Sequence, residues 1–487
     1  MSTDGKLLIV SNRLPIVVEN IAGQRRAVPA SGGLVTALTS LLKQSHTTWV
    51  GWPGPSVEEQ EASALAQLAS QEDCRFIPVF LTSEEEAKFY YGFSNEIVWP
   101  LFHDLQSRCN FDPSYWGTYK CVNRKYATTI KEITNGGEFV WVHDYHLLLL
   151  AEQLRSMNVD SNVAYFHHIP FPSPDIFAKM PWRSELLGAM LRFNALGFQT
   201  SRDFRNFVRC LRRFLSNDVR ISSGVKEAII ETKNGRVFAG TFPISIDFQE
   251  FASQASSPEV SALVDSLRCN IKAAHLLLGV DRLDYTKGIP ERLRAFELLL
   301  EQSRDLWHKV TLVQIVVPSR EDIPRYRELK DEVERLVTSI NGRFTQNGWV
   351  PIQYVYGRLG RTELLAYYRA AQIALITPLK DGMNLVAKEF CAAQIHNDGT
   401  LILSEFAGAA AQLKKWALLV NPNDIKGVAA AINRSLMFSR TERQIRMRSM
   451  RRSIAKENVA AWANTFRKAA AKQSEVPPLA AACGISG

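Results

Sequence analysis

The sequence predicts an α/β protein of two Rossmann-like domains, each a parallel sheet flanked by helices. Short apolar runs of strand length alternate with helical patterns in two successive blocks. Polar and titratable residues repeatedly follow those runs, which is where a doubly wound sheet gathers its ligands. At 487 residues the chain is also too long for one ordinary core, so two or more domains are expected, facing a central cleft.

In the first block, the apolar run 7–10 ends in Ser11-Asn12-Arg13. Ala30-Ser31-Gly32-Gly33 then leads into residues 34–42, whose apolar positions 34, 35, 38, 41 and 42 share one helical face. A Gly pair before a helix lets the backbone approach a phosphate closely, although many such pairs are plain turns. Trp49-Val-Gly-Trp52 reads as the second strand. Strand 139–142 runs into His143-Asp144-Tyr145-His146, strand 164–166 into His167-His168-Ile-Pro-Phe-Pro172, and strand 195–198 into Gln199-Thr200. A single histidine is more often structural than functional. Three strand ends loaded alike point to a site.

The first block closes near Phe242-Pro-Ile-Ser245-Ile-Asp247, and residues 250–258, rich in Ala, Ser and Gln, read as a connector. The second block opens with strand 274–280, the loop Asp281-Arg282-Leu-Asp-Tyr-Thr-Lys287-Gly288 and a helix entered through Pro290. Strands follow at 310–317, 352–355, 373–376 and 401–403. The strand at 373–376 leads into Thr377-Pro-Leu-Lys-Asp381-Gly-Met383-Asn384-Leu385-Val-Ala-Lys-Glu389, a tight turn and then a helix. Free N–H groups and a partial positive charge at that helix start suit a phosphate. Asp381 and Glu389 either accept sugar hydroxyls or serve as a turn former and a solvated helix residue.

Arg282 and Lys287 share one strand-end loop before a helix, and Arg320 (in Pro318-Ser-Arg320) and Arg13 follow other strands. One such cation reads as a surface ion pair. Four at strand ends, spread over both blocks, suit phosphates and the charge that builds on a departing diphosphate.

At 46% hydrophobic and 22% charged, the composition is that of a globular protein, and no apolar run has membrane-spanning length. The N-terminus carries no signal-peptide pattern, so a cytoplasmic location is expected. Seven scattered cysteines without a C-x-x-C pair argue against a disulfide framework and a zinc site. The net charge of +9 suits anionic small molecules as well as nucleic acid. The basic segment 440–452 reads as a solvated helix face with no RNA-binding aromatic motif beside it, so no nucleic-acid partner is expected. Phosphate-loop, G-x-G-x-x-G, H-E-x-x-H and G-x-S-x-G motifs are missing, and so is any Asp-x-Asp. Cationic side chains would do what a metal does elsewhere, so no metal or cofactor is expected.

In order along the chain, these motifs resemble those of the trehalose-6-phosphate synthases, retaining glycosyltransferases of the two-Rossmann-domain (GT-B) type. The likeness runs from Ser11 to about Phe466. It covers Ser11-Asn-Arg13, Gly32-Gly33-Leu34, Trp49-Val-Gly-Trp52, Tyr90 with Phe93-Ser-Asn-x-x-x-Trp99-Pro, Trp141-Val-His-Asp-Tyr-His146, His168-Ile-Pro-Phe-Pro172, Arg282-Leu-Asp-Tyr-x-Lys287-Gly, Arg320 and Asp381-Gly-Met-Asn-Leu-Val-x-Lys-Glu389.

The resemblance implies glucose transfer from UDP-glucose to glucose 6-phosphate, giving α,α-trehalose 6-phosphate and UDP. It implies an acceptor site of Arg13, Tyr90, Trp99, Asp144 and Arg320. Gly33, Arg282 and Lys287 would bind the donor diphosphate and Glu389 its ribose. Asp381, His168 and the backbone of Met383, Asn384 and Leu385 would hold the transferred glucose. Asp144, His168, Arg282, Lys287 and Asp381 would form the catalytic set, working by position and charge without a covalent intermediate.

It further implies an acceptor domain over residues 1–247, completed by a helix at about 456–473 carrying Val459, Trp462 and Phe466. A donor domain would span 248–455, and 474–487 would form a flexible tail. No phosphatase domain is expected, so a separate phosphatase would act on the product. A homo-oligomer is compatible with the sequence. A relative that glucosylates glycerol 3-phosphate, or a silent sugar-phosphate sensor on the same fold, are the alternatives. Ser245 replaces a common Gly, Lys380 a frequent Arg, and Tyr91 a smaller polar residue beside Tyr90.

Overall fold

The computed structural model describes residues 6–21, 24–29, 35, 37–38, 47–54, 74–321 and 323–474. Gly33, most of the helix expected at 34–42 and the tail beyond Ser474 lie outside the described residues, although residues 35, 37 and 38 are helical. The chain divides into two compact units, Met1–Ile244 with Ala460–Gly487, and Ser245–Val459.

In the first unit the described residues form a nine-stranded sheet. Its spatial order is Cys74–Pro78, Thr47–Trp52, Leu7–Arg13, Phe139–His143, Asn162–His167, Ala195–Phe198 and Gly235–Thr241, then Glu227–Thr232 and Val219–Ser223. The first seven run parallel, and the last two are added through antiparallel pairings, Glu227–Thr232 to Gly235–Thr241 and Val219–Ser223 to Glu227–Thr232. The inner parallel strands are buried on both faces and therefore read as continuous apolar runs, whereas the edge strand Cys74–Pro78 is mostly half-buried. The antiparallel extension escaped the sequence reading because its strands are half exposed and rich in Ser, Arg and Glu.

The second unit has a six-stranded parallel sheet in the order Ile352–Tyr356, Val310–Val317, His275–Arg282, Ile373–Ile376, Thr400–Ser404, Leu418–Val420. In both units the first strand lies between the second and the fourth. The chain reverses its direction of winding there, and the loops leaving those two strands splay apart to open a crevice. Arg13 and Asp144 end up at the crevice of the first unit, and Arg282 and the 377–389 stretch at that of the second.

The connector expected at 250–258 is instead mostly helical. Asp247 caps Phe248–Ala255 by accepting from Glu250 N at 3.0 Å, Phe248 and Phe251 are buried, and Arg361 lies 3.5 Å over the Phe251 ring. Two buried aromatics outweigh the loop-like composition around them.

The last helix, Val459–Ser474, returns to the first unit. Trp462 packs 5.0 Å from the Trp141 ring, and Phe466 lies 5.2 Å from Phe166. Both are almost wholly buried, each contributing roughly 1.5–3 kcal/mol. Among the described residues, no helix is long and apolar enough to cross a membrane, and no cluster of His, Cys, Asp or Glu is arranged to hold a metal.

Candidate active site

In the first unit, Arg13 is the last residue of its strand, and its guanidinium stacks 4.0 Å over Trp52 and 5.4 Å from the Tyr90 ring. Tyr90 belongs to a π-wound helix, Glu86–Val98. It stacks nearly parallel to His146 at 5.9 Å, and His146 lies 4.0 Å from Tyr145. Trp99 closes the row, 5.7 Å from Tyr145. The arginine thus sits over one end of an aromatic run. Tyr91 meets Tyr90 edge-on at 5.1 Å and braces that ring. In the sequence Trp52, Tyr145 and His146 read only as strand and strand-end residues. Their motifs were visible, but their stacking needed the fold.

Asp144 follows the strand Phe139–His143 with φ +72° and ψ 169°, a conformation nearly restricted to glycine. Its amide bonds Phe166 O at 2.9 Å, and Oδ1 accepts the backbone N–H of His168 at 3.4 Å. The His168 ring is buried. Its Nε2 lies 3.0 Å from His143 Nδ1, and its Nδ1 lies 3.1 Å from Gln199 Nε2. Burial pushes His143 down to about 3 and His168 well below the usual imidazole range, so both stay neutral.

In the second unit, Lys287 Nζ reaches Asp381 Oδ2 at 2.5 Å. The same carboxylate accepts Met383 N at 3.1 Å and Asn384 Nδ2 at 3.2 Å. Asn384 is left-handed (φ +61°) and caps the helix Leu385–Ala393 through Ala387 N. Gly288, with φ +64°, packs so close to Thr377 O that a side chain there would strike it. Gly408 similarly lies against the carbonyl of Gly382, and its amide bonds Asp381 O at 2.9 Å. The loop around Asp381 is therefore clamped by the 407–409 backbone, a contribution that the sequence reading missed.

Asp284 organises the cations. Burial raises its carboxyl, but Arg320, Lys287 and Arg282 together outweigh that and hold it below the usual range. It accepts Arg320 Nη1 at 3.4 Å and Thr286 N at 3.0 Å, and Arg320 also donates to Tyr326 Oη at 2.6 Å. Arg282 is exposed at its strand end. Three cations around one buried carboxylate leave a net positive field for an anion. Beneath both loops, Arg292 is fully buried, pairing with Asp281 Oδ2 at 2.5 Å and reaching Gln314, Thr377 Oγ1 and Lys287 O. Neither Asp284 nor Arg292 was singled out from the sequence.

Glu389 is buried and accepts Tyr368 Oη at 3.0 Å. Burial raises its carboxyl against the opposing pull of Arg361 and Tyr368. Of the expected acceptor set, Arg13, Tyr90, Trp99 and Asp144 belong to the first unit and Arg320 to the second. The expected donor residues belong to the second unit, except His168 in the first and Gly33 outside the described residues.

The profile of glycosyltransferase family 20 matches residues 5–472. The chain belongs to glycosyltransferase family 20. Among its relatives in that family, the trehalose-6-phosphate synthase of Mycolicibacterium vanbaalenii is 39% identical over 474 residues, covering 96% of each chain. The alpha,alpha-trehalose-phosphate synthase [UDP-forming] A of Dictyostelium discoideum is 37% identical over 96% of this chain and 63% of its own. The Burkholderia xenovorans alpha,alpha-trehalose-phosphate synthase (UDP-forming), solved with glucose-6-phosphate, superposes with a TM-score of 0.86 at 34% identity, over 96% of this chain and all of that one. An E. coli family structure bound with UDP-2-fluoro glucose gives 0.85 at 34% identity, over 97% of this chain and 100% of the other. This glycosyltransferase family 20 chain therefore has the GT-B fold of two Rossmann-like domains.

Proposed function

We propose that the chain is a retaining hexosyltransferase that moves glucose from UDP-glucose to glucose 6-phosphate, releasing UDP and α,α-trehalose 6-phosphate. The observation that carries this reading is the cation group around Asp284, joined to the Lys287–Asp381 pair at the crevice of the second unit. Membership of the family and the names of its relatives support it.

In this reading Arg282 and Lys287 neutralise the diphosphate as the bond from glucose C1 to the phosphate oxygen breaks. The new bond forms from C1 to the anomeric hydroxyl of glucose 6-phosphate on the same face of the donor sugar. The hydroxyl proton passes to the departing phosphate oxygen. Asp381 holds donor hydroxyls and is itself fixed by Lys287, Met383 N and Asn384, which keeps it a positioned acceptor. Glu389 meets the ribose. Arg13, on its aromatic row, and Arg320 take the acceptor phosphate, and Asp144 orients the acceptor hydroxyls. Cationic side chains supply the charge stabilisation, so the reaction runs without a metal. A separate phosphatase would convert the product to the free disaccharide.

The test is UDP release from UDP-glucose with glucose 6-phosphate or glycerol 3-phosphate offered separately. Release with glucose 6-phosphate alone, together with a trehalose 6-phosphate product, is expected. Release with glycerol 3-phosphate alone would overturn the acceptor assignment, and silence with both would favour a sensor.

A further inference from the structure

The Gln199 side chain bonds at both ends, and one end is unambiguous. The backbone N–H of Ile244 can only donate, and it meets Gln199 Oε1 at 2.9 Å. The other terminus of the amide is therefore the NH₂ group, which faces His168 Nδ1 at 3.1 Å. An NH₂ donor requires a lone pair on Nδ1, so a neutral His168 ring carries its proton on Nε2. That proton points at His143 Nδ1, 3.0 Å away. His143 in turn must carry its own proton on Nε2, which has no hydrogen-bond partner among the described residues. Gln199, His168 and His143 are 3%, 1% and 0% exposed, so water does not compete for this relay.

We propose that Gln199 is a positioning residue that locks His168 in its Nε2–H tautomer, with both ring nitrogens engaged inside the protein. A sugar hydroxyl reaches Nδ1 only by displacing the Gln199 amide, and it must then act as the donor. His168 is thereby removed from acid–base work. What it holds in place is its backbone N–H, which meets Asp144 Oδ1 at 3.4 Å. Gln199 thus acts through His168 on Asp144. The relay starts at Ile244, the last residue of the first unit before the chain passes into the second. The part of this inference that concerns turnover rests on the transferase reading above. The tautomer does not.

The experiment is long-range ¹H–¹⁵N correlation of histidine-labelled full-length protein, with His168 assigned by the signals lost in His168→Asn. The expected result is an unprotonated Nδ1 and a protonated Nε2 on His168. A protonated Nδ1, or a mixture of tautomers, would overturn the proposal whether or not the protein turns over any substrate. In Gln199→Glu the carboxylate accepts from Ile244 N–H and demands a proton on Nδ1, so the His168 pattern should reverse. In Gln199→Leu, kcat should fall by about ten- to a hundredfold while KM for UDP-glucose stays within about twofold, as expected for lost positioning. A folded Gln199→Leu protein with unchanged kcat and an unchanged His168 spectrum would also overturn it. Absence of turnover in the wild type, beside the expected tautomer, would count against the transferase reading alone.

Discussion

Lys287 and Asp381 stand 94 residues apart in the chain and meet through Nζ and Oδ2 at 2.5 Å, with 13% and 10% of their side chains exposed. The pair joins the loops that leave two neighbouring strands, so one substitution disturbs both. Lys287→Ala strands the carboxylate without its cation and takes a charge from the diphosphate. kcat/KM for UDP-glucose should fall by about 10²–10³. Steady-state UDP release with saturating glucose 6-phosphate measures it, and a loss below about tenfold would remove Lys287 from the donor site.

The Arg13 guanidinium carbon lies 4.0 Å from the centre of the Trp52 ring, and its fork suits a phosphate better than the single point charge of an ammonium. Arg13→Lys keeps the charge but loses the stacking and the fork. KM for glucose 6-phosphate should rise by about tenfold or more, with KM for UDP-glucose within about twofold. A rise confined to the donor would reverse the assignment.

Asp144 carries its strained backbone at the strand end. Asp144→Gly relieves that strain and should raise unfolding free energy by about 1–3 kcal/mol in urea titrations. Transfer should be lost at the same time. A less stable glycine variant would mean that the Asp144 contacts outweigh the strain.

Arg292 is buried against Asp281, Gln314, Thr377 and the carbonyl of Lys287. Removing one partner of a buried pair leaves an uncompensated charge, so Arg292→Met should cost about 3–5 kcal/mol. Adding Asp281→Leu should restore part of that loss in urea unfolding. Additive losses in the double variant would argue against a coupled pair.

Burial holds His143 and His167 down at about 3 and His168 well below the usual imidazole range. Their stabilising contribution is therefore complete above the unfolded value of about 6.5 and is lost as pH falls from there toward 3. In that window the unfolded chain binds more protons. Each ring adds a slope of about 1.4 kcal/mol per pH unit. Burial also lowers His275, which acts in the same direction, whereas Glu389 and Glu152, whose carboxyls burial raises, act with the opposite sign, two groups against four. Urea midpoints should drop between pH 7 and pH 5, and His143→Gln should flatten the curve. A flat wild-type curve would contradict buried neutral histidines.

The strand-end cations and carboxylates were legible in the sequence because a buried parallel strand is a continuous apolar run and the polar residue after it stands out. Arg13, Asp144, Arg282 and Asp381 all announce themselves in this way. Arg292 does not. It interrupts a helix that otherwise looks amphipathic, and its burial depends on Asp281, Gln314 and the space left by Gly279, all set by strand pairing. The basic helix Arg440–Lys456 shows the same limit. Arg440, Arg448 and Arg452 are exposed or nearly so, as a solvated face requires. Arg443 instead pairs with Asp398, Arg446 reaches Trp416 O, and Arg451 bonds the carbonyls of Cys391 and Ala392 at the end of the Leu385–Ala393 helix. Charge patterning counts the cations but cannot say which of them find partners.

The returning helix Val459–Ser474 also sets a timetable for biosynthesis. Trp141 and Phe166 leave the ribosome early, yet Trp462 and Phe466, which pack on them, emerge only after the whole second unit has been translated. At about 5–20 residues per second the interval is on the order of ten seconds to a minute. Throughout it the nascent first sheet shows an uncovered aromatic face. Chaperones that bind exposed apolar surface should associate with this nascent chain until the last helix docks, and a chain stalled before Trp462 should remain their client.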